Sequence, residues 1–262
     1  MNKKVAILGI DLQNDFVKQS GSLSVNGAEG DAKRIADFIH NNGDKISYMV
    51  FTLDSHRANH IAHASYWEDK NGNEPAVFTN ITAQDVHTGV WTAKINPLGA
   101  VTYLEELEKK GKKHTIWPPH CIMGTEGWAL YKDISDALIE WETKYKIPFQ
   151  LEFKGSNWYT EHYSIFRAEV ELPNYPETQV NHNLLKTLNR FDEVILVGEA
   201  RDFCVLNSLK DLISETPDLA KKVVVFEDCM SNVIQNNAEA DAFYQDAQKA
   251  GVKISNSIDY KF

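Results

Sequence analysis

One cysteine, Cys204, follows an apolar run that is typical of a strand buried on both faces of a sheet. The run is Val194–Val197, and Gly198 and Ala200 then allow a tight turn. We expect Asp202 to cap the helix that follows, so that Cys204 lies in its first turn. There the positive end of the helix dipole favours thiolate, the reactive form of cysteine. The alternative is a small buried thiol that only packs under the helix.

Two charged residues, Asp11 and Lys154, also follow predicted buried strands. A carboxylate at Asp11 could accept the proton of a thiol, and an ammonium at Lys154 would stabilise a nearby thiolate or carboxylate. Taken singly, Asp11 is equally compatible with a turn or helix cap, and Lys154 with a surface lysine. Because the carboxyl ends of parallel strands meet at one edge of a sheet, Asp11, Lys154 and Cys204 together predict an acid–base–nucleophile triad.

A second set of residues has the types that bind divalent metals. Asp54 and His56 are two positions apart on an extended segment, and His120 could add a third ligand from another predicted strand end. Three protein ligands with open positions describe a catalytic rather than a structural metal site. An Asp-x-His pair alone is weak evidence, because histidines are common in loops. Whether His60 contributes to this site stays open.

The elements that position these residues alternate between strands and helices. Strands are predicted at residues 4–10, 46–53, 114–117, 149–153, 194–197, 223–226 and 252–254. Helices are predicted at about 31–42, 98–110, 126–145, 181–189, 204–213 and 238–249. Such alternation predicts a three-layer α/β/α fold, with a mostly parallel sheet and helices on both faces.

The chain has 262 residues, a length that fits one α/β domain. Residues 69–99 have no strong periodicity, and a loop of that length inside a domain is usually functional or part of an insertion. We therefore predict a single domain over residues 1–262, with insertions at about 61–113 and 128–149.

Composition and charge exclude several classes of protein. Hydrophobic residues make up 43% of the chain, and the net charge is -10 from 37 acidic and 27 basic residues. This balance argues against nucleic acid or an anionic membrane as the main partner. No apolar run approaches the roughly 20 residues needed to cross a bilayer. Glycine-rich phosphate loops, G-x-S-x-G elbows and C-x-x-C pairs are absent from the sequence.

The compartment is predicted from the first residues and the cysteines. The apolar run after Lys3 and Lys4 stops at Asp11 without a small-residue cleavage site, so we interpret it as a first strand rather than a signal peptide. Three cysteines far apart in sequence do not make a disulfide framework. We expect a cytoplasmic protein.

Several segments together resemble the isochorismatase-like cysteine hydrolases, most closely the nicotinamidase branch. The matching segments, in the order that the family has, are Asp11–Phe16, Asp54–His56, Trp117–Cys121 with Gly124–Thr125, Lys154–Gly155 followed by Tyr163–Phe166, and Gly198–Val205. The resemblance spans residues 5 to about 210, and the set is specific where any single segment is not.

The resemblance implies a six-stranded parallel sheet and a triad of Asp11, Lys154 and Cys204. It implies a divalent ion, zinc above iron or manganese, held by Asp54, His56 and His120. It also implies a cis peptide bond at Glu199–Ala200, with the backbone N–H groups of Ala200 and Cys204 as an oxyanion hole.

The activity that the resemblance implies is hydrolysis of nicotinamide to nicotinate and ammonia, as part of NAD salvage. The ring would lie among Phe16, Trp117 and Tyr163. Cys204 would form a thioester that a metal-bound water hydrolyses. The expected partner is a small-molecule amide, with neither nucleic acid nor membrane, and a homo-oligomer is compatible with the sequence.

Two alternatives stay open at this point. Arg201 stands where the family usually has threonine, and a fixed charge there could bind a carboxylate or pair with Glu199 or another acidic neighbour. The first alternative is therefore a related hydrolase that acts on another amide or a carbamoyl compound. The second is a non-catalytic binding member of the fold, which the intact set of site residues disfavours.

Overall fold

The computed structural model describes residues 3–262, and a six-stranded parallel sheet forms its centre. In that part of the chain the strands are β1 (Val5–Ile10), β2 (Ile46–Asp54), β3 (Trp67–Glu68), β4 (Asn80–Ile81), β5 (Thr92–Ala93), β6 (His114–Thr115), β7 (Gln150–Lys154), β8 (Glu193–Gly198), β9 (Val223–Phe226) and β10 (Lys253–Ser255). The order in the large sheet is β10-β9-β8-β1-β2-β7, with every pairing parallel. The prediction of a mostly parallel six-stranded sheet is confirmed.

Helices cover both faces of this sheet. They are α1 (Asn14–Val17), α2 (Ala28–Asn42), α3 (Ala83–His87), α4 (Pro97–Lys109), α5 (Lys132–Tyr145), α6 (His182–Leu188), α7 (Leu206–Glu215), α8 (Pro217–Ala220) and α9 (Ala238–Lys249). Buried residues of α2 and α5 pack on one face, and those of α6, α7 and α9 pack on the other. The three-layer α/β/α class is therefore confirmed.

The chain order of the strands fixes where a site can form. From β1 the chain builds outward through β2 to β7, and it then returns to the other side of β1 with β8. The reversal lies between β1 and β8, and ligands bind in the crevice at such a switch point, outside the carboxyl ends of the strands. The loops after β1, β2, β7 and β8 all open at this edge.

Residues 61–113 have regular structure of their own. Two short antiparallel pairs, β3 with β5 and β4 with β6, surround α4, and their buried side chains form a separate apolar cluster. The segment that we expected to lack regular structure contains β4, α3 and β5. These elements have two to five residues, which is too short to produce a periodic pattern.

Three other boundaries differ from the prediction. The strand expected at 114–117 is only β6, which lies outside the large sheet, and Pro118 and Pro119 soon follow without the N–H groups that a longer ladder needs. Helix α5 begins at Lys132 rather than 126, because residues 126–131 cover α1 instead. Their backbone carbonyls accept hydrogen bonds from Gln13 and Asn14. Helix α2 begins at Ala28, three residues earlier than predicted.

Within residues 3–262, no helix has both the length and the apolar character that crossing a membrane requires.

The turn after β8 depends on Gly198. Its φ is +121°, and a Cβ atom there would lie 2.1 Å from the backbone oxygen of Ile10 on the neighbouring strand. We predict that Gly198→Ala lowers the free energy of unfolding by at least about 3 kcal/mol. Gly89→Ala is the matched control: its φ is +74° but the space around it is open, so its cost is about 1 kcal/mol. Equal losses in chemical denaturation of the two variants would contradict this account.

Candidate active site

Asp11, Lys154 and Cys204 meet at the carboxyl edge of the large sheet. The Nζ atom of Lys154 lies 2.8 Å from Oδ2 of Asp11 and 3.5 Å from Sγ of Cys204. Lys154 therefore contacts both of the other side chains that the sequence placed at separate strand ends.

Charge balance in this group depends on Lys154. Its side chain is 1% exposed, and besides Asp11 it contacts Oδ1 of Asp54 at 3.1 Å. Burial alone would lower the pKa of Lys154, but the two carboxylates outweigh burial and hold that pKa well above its usual value. The lysine is therefore a permanent cation. Burial also raises the pKa of Asp11, against the opposing effect of Lys154.

Cys204 is a thiol rather than a thiolate at rest. Burial raises the pKa of its thiol well above the usual value, and the carboxylates of Asp11 and Asp54 add to that effect, while Lys154 opposes it. Burial and the two carboxylates therefore oppose the thiolate form that the helix terminus was expected to favour.

The turn that holds Cys204 has an irregular backbone. Residues Arg201–Val205 form one π-helical turn that leads directly into α7, and the peptide bond between Glu199 and Ala200 is cis, as the resemblance implies. The predicted helix cap is wrong. The carboxylate of Asp202 accepts the backbone N–H groups of Val233 and Ile234, both at 2.9 Å, and ties the turn to a neighbouring loop.

Asp54, His56 and His120 are buried together beside the triad. The Nε2 atoms of His56 and His120 lie 3.4 Å from Oδ1 and Oδ2 of Asp54, respectively. His120 comes from the loop after β6 and not from a strand of the large sheet. Its Nδ1 contacts the carbonyl of Pro118 at 2.8 Å, the kind of contact that orients a ligating imidazole.

Two further groups of donors surround His56, and neither was predicted in full. Ligand atoms of His56, His63 and His120 lie within 4.8 Å of one another, and so do those of His56, His60 and Glu161. His63 and Glu161 were missed, although a third histidine within ten residues of Asp54 was a usable signal for His63. No spacing in the sequence pointed to Glu161.

These donors fit a divalent cation. The Nε2 atoms of His56, His60 and His63 are buried and have no hydrogen-bond partner among the described residues. Burial and the neighbouring imidazoles lower the pKa of His63 to about 3. It is therefore neutral, which is the form that binds metals. Unsatisfied buried polar atoms are costly, and a metal ion would satisfy several of them at once.

A narrow cavity opens onto Cys204, and aromatic side chains form most of its wall. Its lining residues are Phe16, Leu23, Asp54, Trp117, His120, Glu161, Tyr163, Ala200, Phe203, Cys204 and Val233. The indole of Trp117 donates a hydrogen bond to the hydroxyl of Tyr163 at 2.9 Å, and Phe203 packs against both rings. All three predicted aromatic residues line the cavity. Phe203 lines it as well, and no substrate contact was predicted for that residue.

Arg201 is not among the residues that line this cavity. Its guanidinium pairs with Asp241 at 2.8 Å and stacks on the ring of Tyr244 at 4.3 Å. Of the two interpretations of Arg201, the structure favours an ion pair with an acidic neighbour over a substrate carboxylate.

The fold and site are those of an α/β protein with a cysteine, an aspartate and a lysine buried together at the sheet edge, and comparison with known proteins identifies the class as hydrolytic enzymes. The chain is 28% identical to a nicotinamidase of Saccharomyces cerevisiae over 76% of each chain. It is 26% identical to a nicotinamidase of Escherichia coli over 98% of this chain and 96% of that protein. No protein-family model matches the chain.

Solved structures agree with the sequence relatives. A yeast nicotinamidase bound to the inhibitor nicotinaldehyde superposes with a TM-score of 0.67 at 22% identity, over 96% of this chain and 99% of that one. A pyrazinamidase of Pyrococcus horikoshii in complex with zinc superposes with a TM-score of 0.56 at 17% identity, over 97% of this chain and 99% of that one. The predicted resemblance to the nicotinamidase branch of the isochorismatase-like hydrolases is confirmed. The predicted class, a hydrolase of carbon–nitrogen bonds other than peptide bonds, agrees with these relatives.

We predict that Lys154→Met lowers the free energy of unfolding by about 3–5 kcal/mol, because it leaves the carboxylates of Asp11 and Asp54 buried without their cation. Lys253→Met is the control. That lysine pairs with Glu193 but its side chain is 58% exposed, so its loss should cost about 1 kcal/mol or less. Chemical denaturation at neutral pH measures both. A Lys154→Met variant as stable as the control would show that this cation does not hold the carboxylates in place.

Proposed function

We propose that the protein is a metal-dependent cysteine amidohydrolase that converts nicotinamide and water to nicotinate and ammonia. The observation that carries the proposal is the contact of a buried Asp11–Lys154–Cys204 group with Asp54, beside a cluster of buried histidines. The names of the sequence relatives support the choice of substrate.

In the reaction that we propose, Asp11 removes the proton of Cys204 as sulfur attacks the carboxamide carbon. The proton then passes to the amide nitrogen, the carbon–nitrogen bond breaks, and ammonia leaves a thioester on Cys204. Water attacks the thioester carbon, the carbon–sulfur bond breaks, and the thiol is regenerated with nicotinate. Lys154 keeps Asp11 in place and stabilises negative charge on sulfur.

The backbone N–H groups of Ala200 and Cys204 are the proposed oxyanion hole, which would stabilise charge on the carbonyl oxygen in both steps. Phe16, Trp117 and Tyr163 are the proposed walls for the flat ring. Their arrangement around one cavity supports this role.

Asp54, His56 and His120 would hold the divalent ion, with His63 as a further candidate. When bound, the ion supplies Lewis-acid polarisation and orients polar groups in the cavity. Zinc is our first choice because imidazole and carboxylate ligands suit it and because the Pyrococcus horikoshii relative is described with zinc. Iron and manganese are the alternatives for the same ligands.

The expected setting follows from the activity. We propose a cytoplasmic enzyme of NAD salvage, formed by one domain over residues 1–262 with residues 61–113 and 128–149 as additions to it. The ion pair between Arg201 and Asp241 weakens the alternative of a carboxylated or carbamoyl substrate, because Arg201 was one of the two reasons for considering it, the other being the insertions.

The activity is tested by ammonia release from nicotinamide, with metal content determined on the same sample. Cys204→Ala should lower kcat at least about 1,000-fold, because it removes the nucleophile. Cys229→Ala should stay within a few fold of the parent, since Cys229 is a buried thiol away from the cavity. Wild-type protein that releases no ammonia at any divalent metal loading would refute the proposal.

A second experiment addresses the metal ligands. His120→Ala and His63→Ala should each weaken zinc binding at least about tenfold, because each removes a donor or an orienting group. The readouts are bound metal by elemental analysis and the shift of the unfolding midpoint when zinc is added. His87→Ala is the control, because His87 is exposed and pairs with Glu105 away from the site. Unchanged binding in His63→Ala would remove His63 from the ligand set.

A further inference from the structure

A carboxyl group that the proposed reaction does not use lies directly under the nucleophile turn. Glu199 is the first residue of the cis peptide before Ala200, and it is 0% exposed. Its Oε2 atom accepts the backbone N–H of Ser231 at 3.1 Å. Its Oε1 atom is buried and has no hydrogen-bond partner among the described residues.

A second buried carboxyl group faces it from α2. Asp31 is 2% exposed, and its Oδ2 atom accepts the hydroxyl of Ser231 at 2.5 Å. Its other oxygen pairs with Arg34. Ser231 therefore contacts both carboxyl groups, one through its backbone and one through its side chain. Two carboxyl groups that are buried on either side of one serine cannot both ionise without a large cost, so one of them has to keep its proton.

We propose that Glu199 is a positioning residue that stays a neutral carboxylic acid and donates its proton to the Asp31 carboxylate, which fixes the nucleophile turn against α2. The assignment of the proton to Glu199 follows from the surroundings. Asp31 has the guanidinium of Arg34, whereas no cation among residues 3–262 pairs with Glu199.

We call the proposed contact between Glu199 and Asp31 the clamp. Through Ser231 it is also connected to the wall of the cavity. The carbonyl of Ser231 accepts the backbone N–H of Arg201 at 2.9 Å. The loop then continues to Val233, whose N–H is held by Asp202 and whose side chain lines the cavity with Cys204. One shared proton therefore connects α2, the nucleophile turn and a wall of the cavity. The consequence for catalysis depends on the proposed function, but the clamp itself does not.

The charged and titratable groups around Glu199 all disfavour its ionisation or are already paired. These are Asp31 and Arg34 of α2, Arg201 and Asp202 of the π turn, and Tyr244 of α9. Burial raises the pKa of Glu199 well above its usual value, and Asp31 and Asp202 raise it further. Arg201 is held by Asp241 and stacks on Tyr244.

The proton on Glu199 makes the free energy of unfolding depend on pH. Below about pH 4.5, the usual pKa of glutamate, the folded and unfolded states both bind the proton and Glu199 contributes no pH dependence. Above it, the unfolded chain releases the proton and the folded chain keeps it. Relative to Glu199→Gln, the unfolding constant of the wild type should rise about tenfold per pH unit, until Glu199 ionises in the folded state.

The test is therefore chemical denaturation of wild type and Glu199→Gln from pH 4 to 9. We expect the glutamine variant to be the more stable protein at neutral pH, with an advantage that grows with pH. Glu193→Gln, at the other end of β8, is the control of opposite sign. Lys253 and Lys3 lower the pKa of Glu193 against the opposing effect of burial, so this variant should lose stability above about pH 4.5. A Glu199→Gln variant that is less stable than wild type at pH 8 overturns the proposal.

Two measurements keep the proposal testable if Glu199→Gln does not fold. In Asp31→Asn the free energy of unfolding should also no longer fall as the pH rises, although this substitution weakens the ion pair with Arg34. In wild-type protein at pH 7, the infrared band of a protonated carboxylic acid should be present, and it should be lost when Glu199 is the only glutamate replaced. Absence of the band in the wild type would contradict a neutral Glu199.

The positioning role has its own readout. At alkaline pH, ionisation of Glu199 should release the turn, so that kcat falls in the wild type but not in Glu199→Gln, with little change in KM. Alkylation of Cys204 by iodoacetamide reports the same release without a substrate. If nicotinamide is not hydrolysed but the stability and alkylation differences are found, the clamp stands and the proposed function fails. Identical pH profiles of kcat and alkylation in the two proteins would refute the positioning role.

Discussion

The candidate site depends on one buried cation. Lys154 ends β7, the edge strand of the large sheet, and its side chain crosses the end of β2 to reach Asp11 after β1. Adjacent strands lie about 4.8 Å apart, so only a long side chain can make this contact. Two carboxylates and a thiol could not be buried together without that charge. The order β8-β1-β2-β7 therefore matters chemically, because it puts Cys204, Asp11 and Asp54 within reach of one ammonium.

Asp54 connects the two halves of the site. One of its oxygens contacts both Lys154 and His56, and the other contacts His120. A charge on any of these groups therefore changes the field at Asp11 and Cys204. The raised pKa of the thiol fits this arrangement, since a permanent thiolate would add a third negative charge around one lysine. Burial and the two carboxylates therefore oppose the effect that a helix terminus has on the pKa of a thiol.

The sequence was informative where the fold imposes a rule. Parallel strands end at one edge, so residues that follow buried strands, such as Asp11, Lys154 and Cys204, could be predicted to meet. Residues on loops follow no such rule. His63 and Glu161 reach the histidine cluster through irregular segments, and the contact of Asp202 with Val233 depends on a loop far away in the sequence. The short elements within residues 69–99 were also missed, because strands of two residues produce no periodic pattern.

Substrate selection has to come from the residues that line the cavity, because Arg201 points elsewhere. Among the described lining residues the acidic side chains are Asp54 and Glu161, and there is neither lysine nor arginine. A substrate with its own carboxylate would therefore find no lysine or arginine in this lining to pair with, whereas a neutral amide needs none. The indole–hydroxyl hydrogen bond between Trp117 and Tyr163 uses polar atoms that would otherwise face the ligand. The remaining surface of Phe16, Trp117 and Phe203 is flat and apolar, which favours an aromatic ring over a flexible chain.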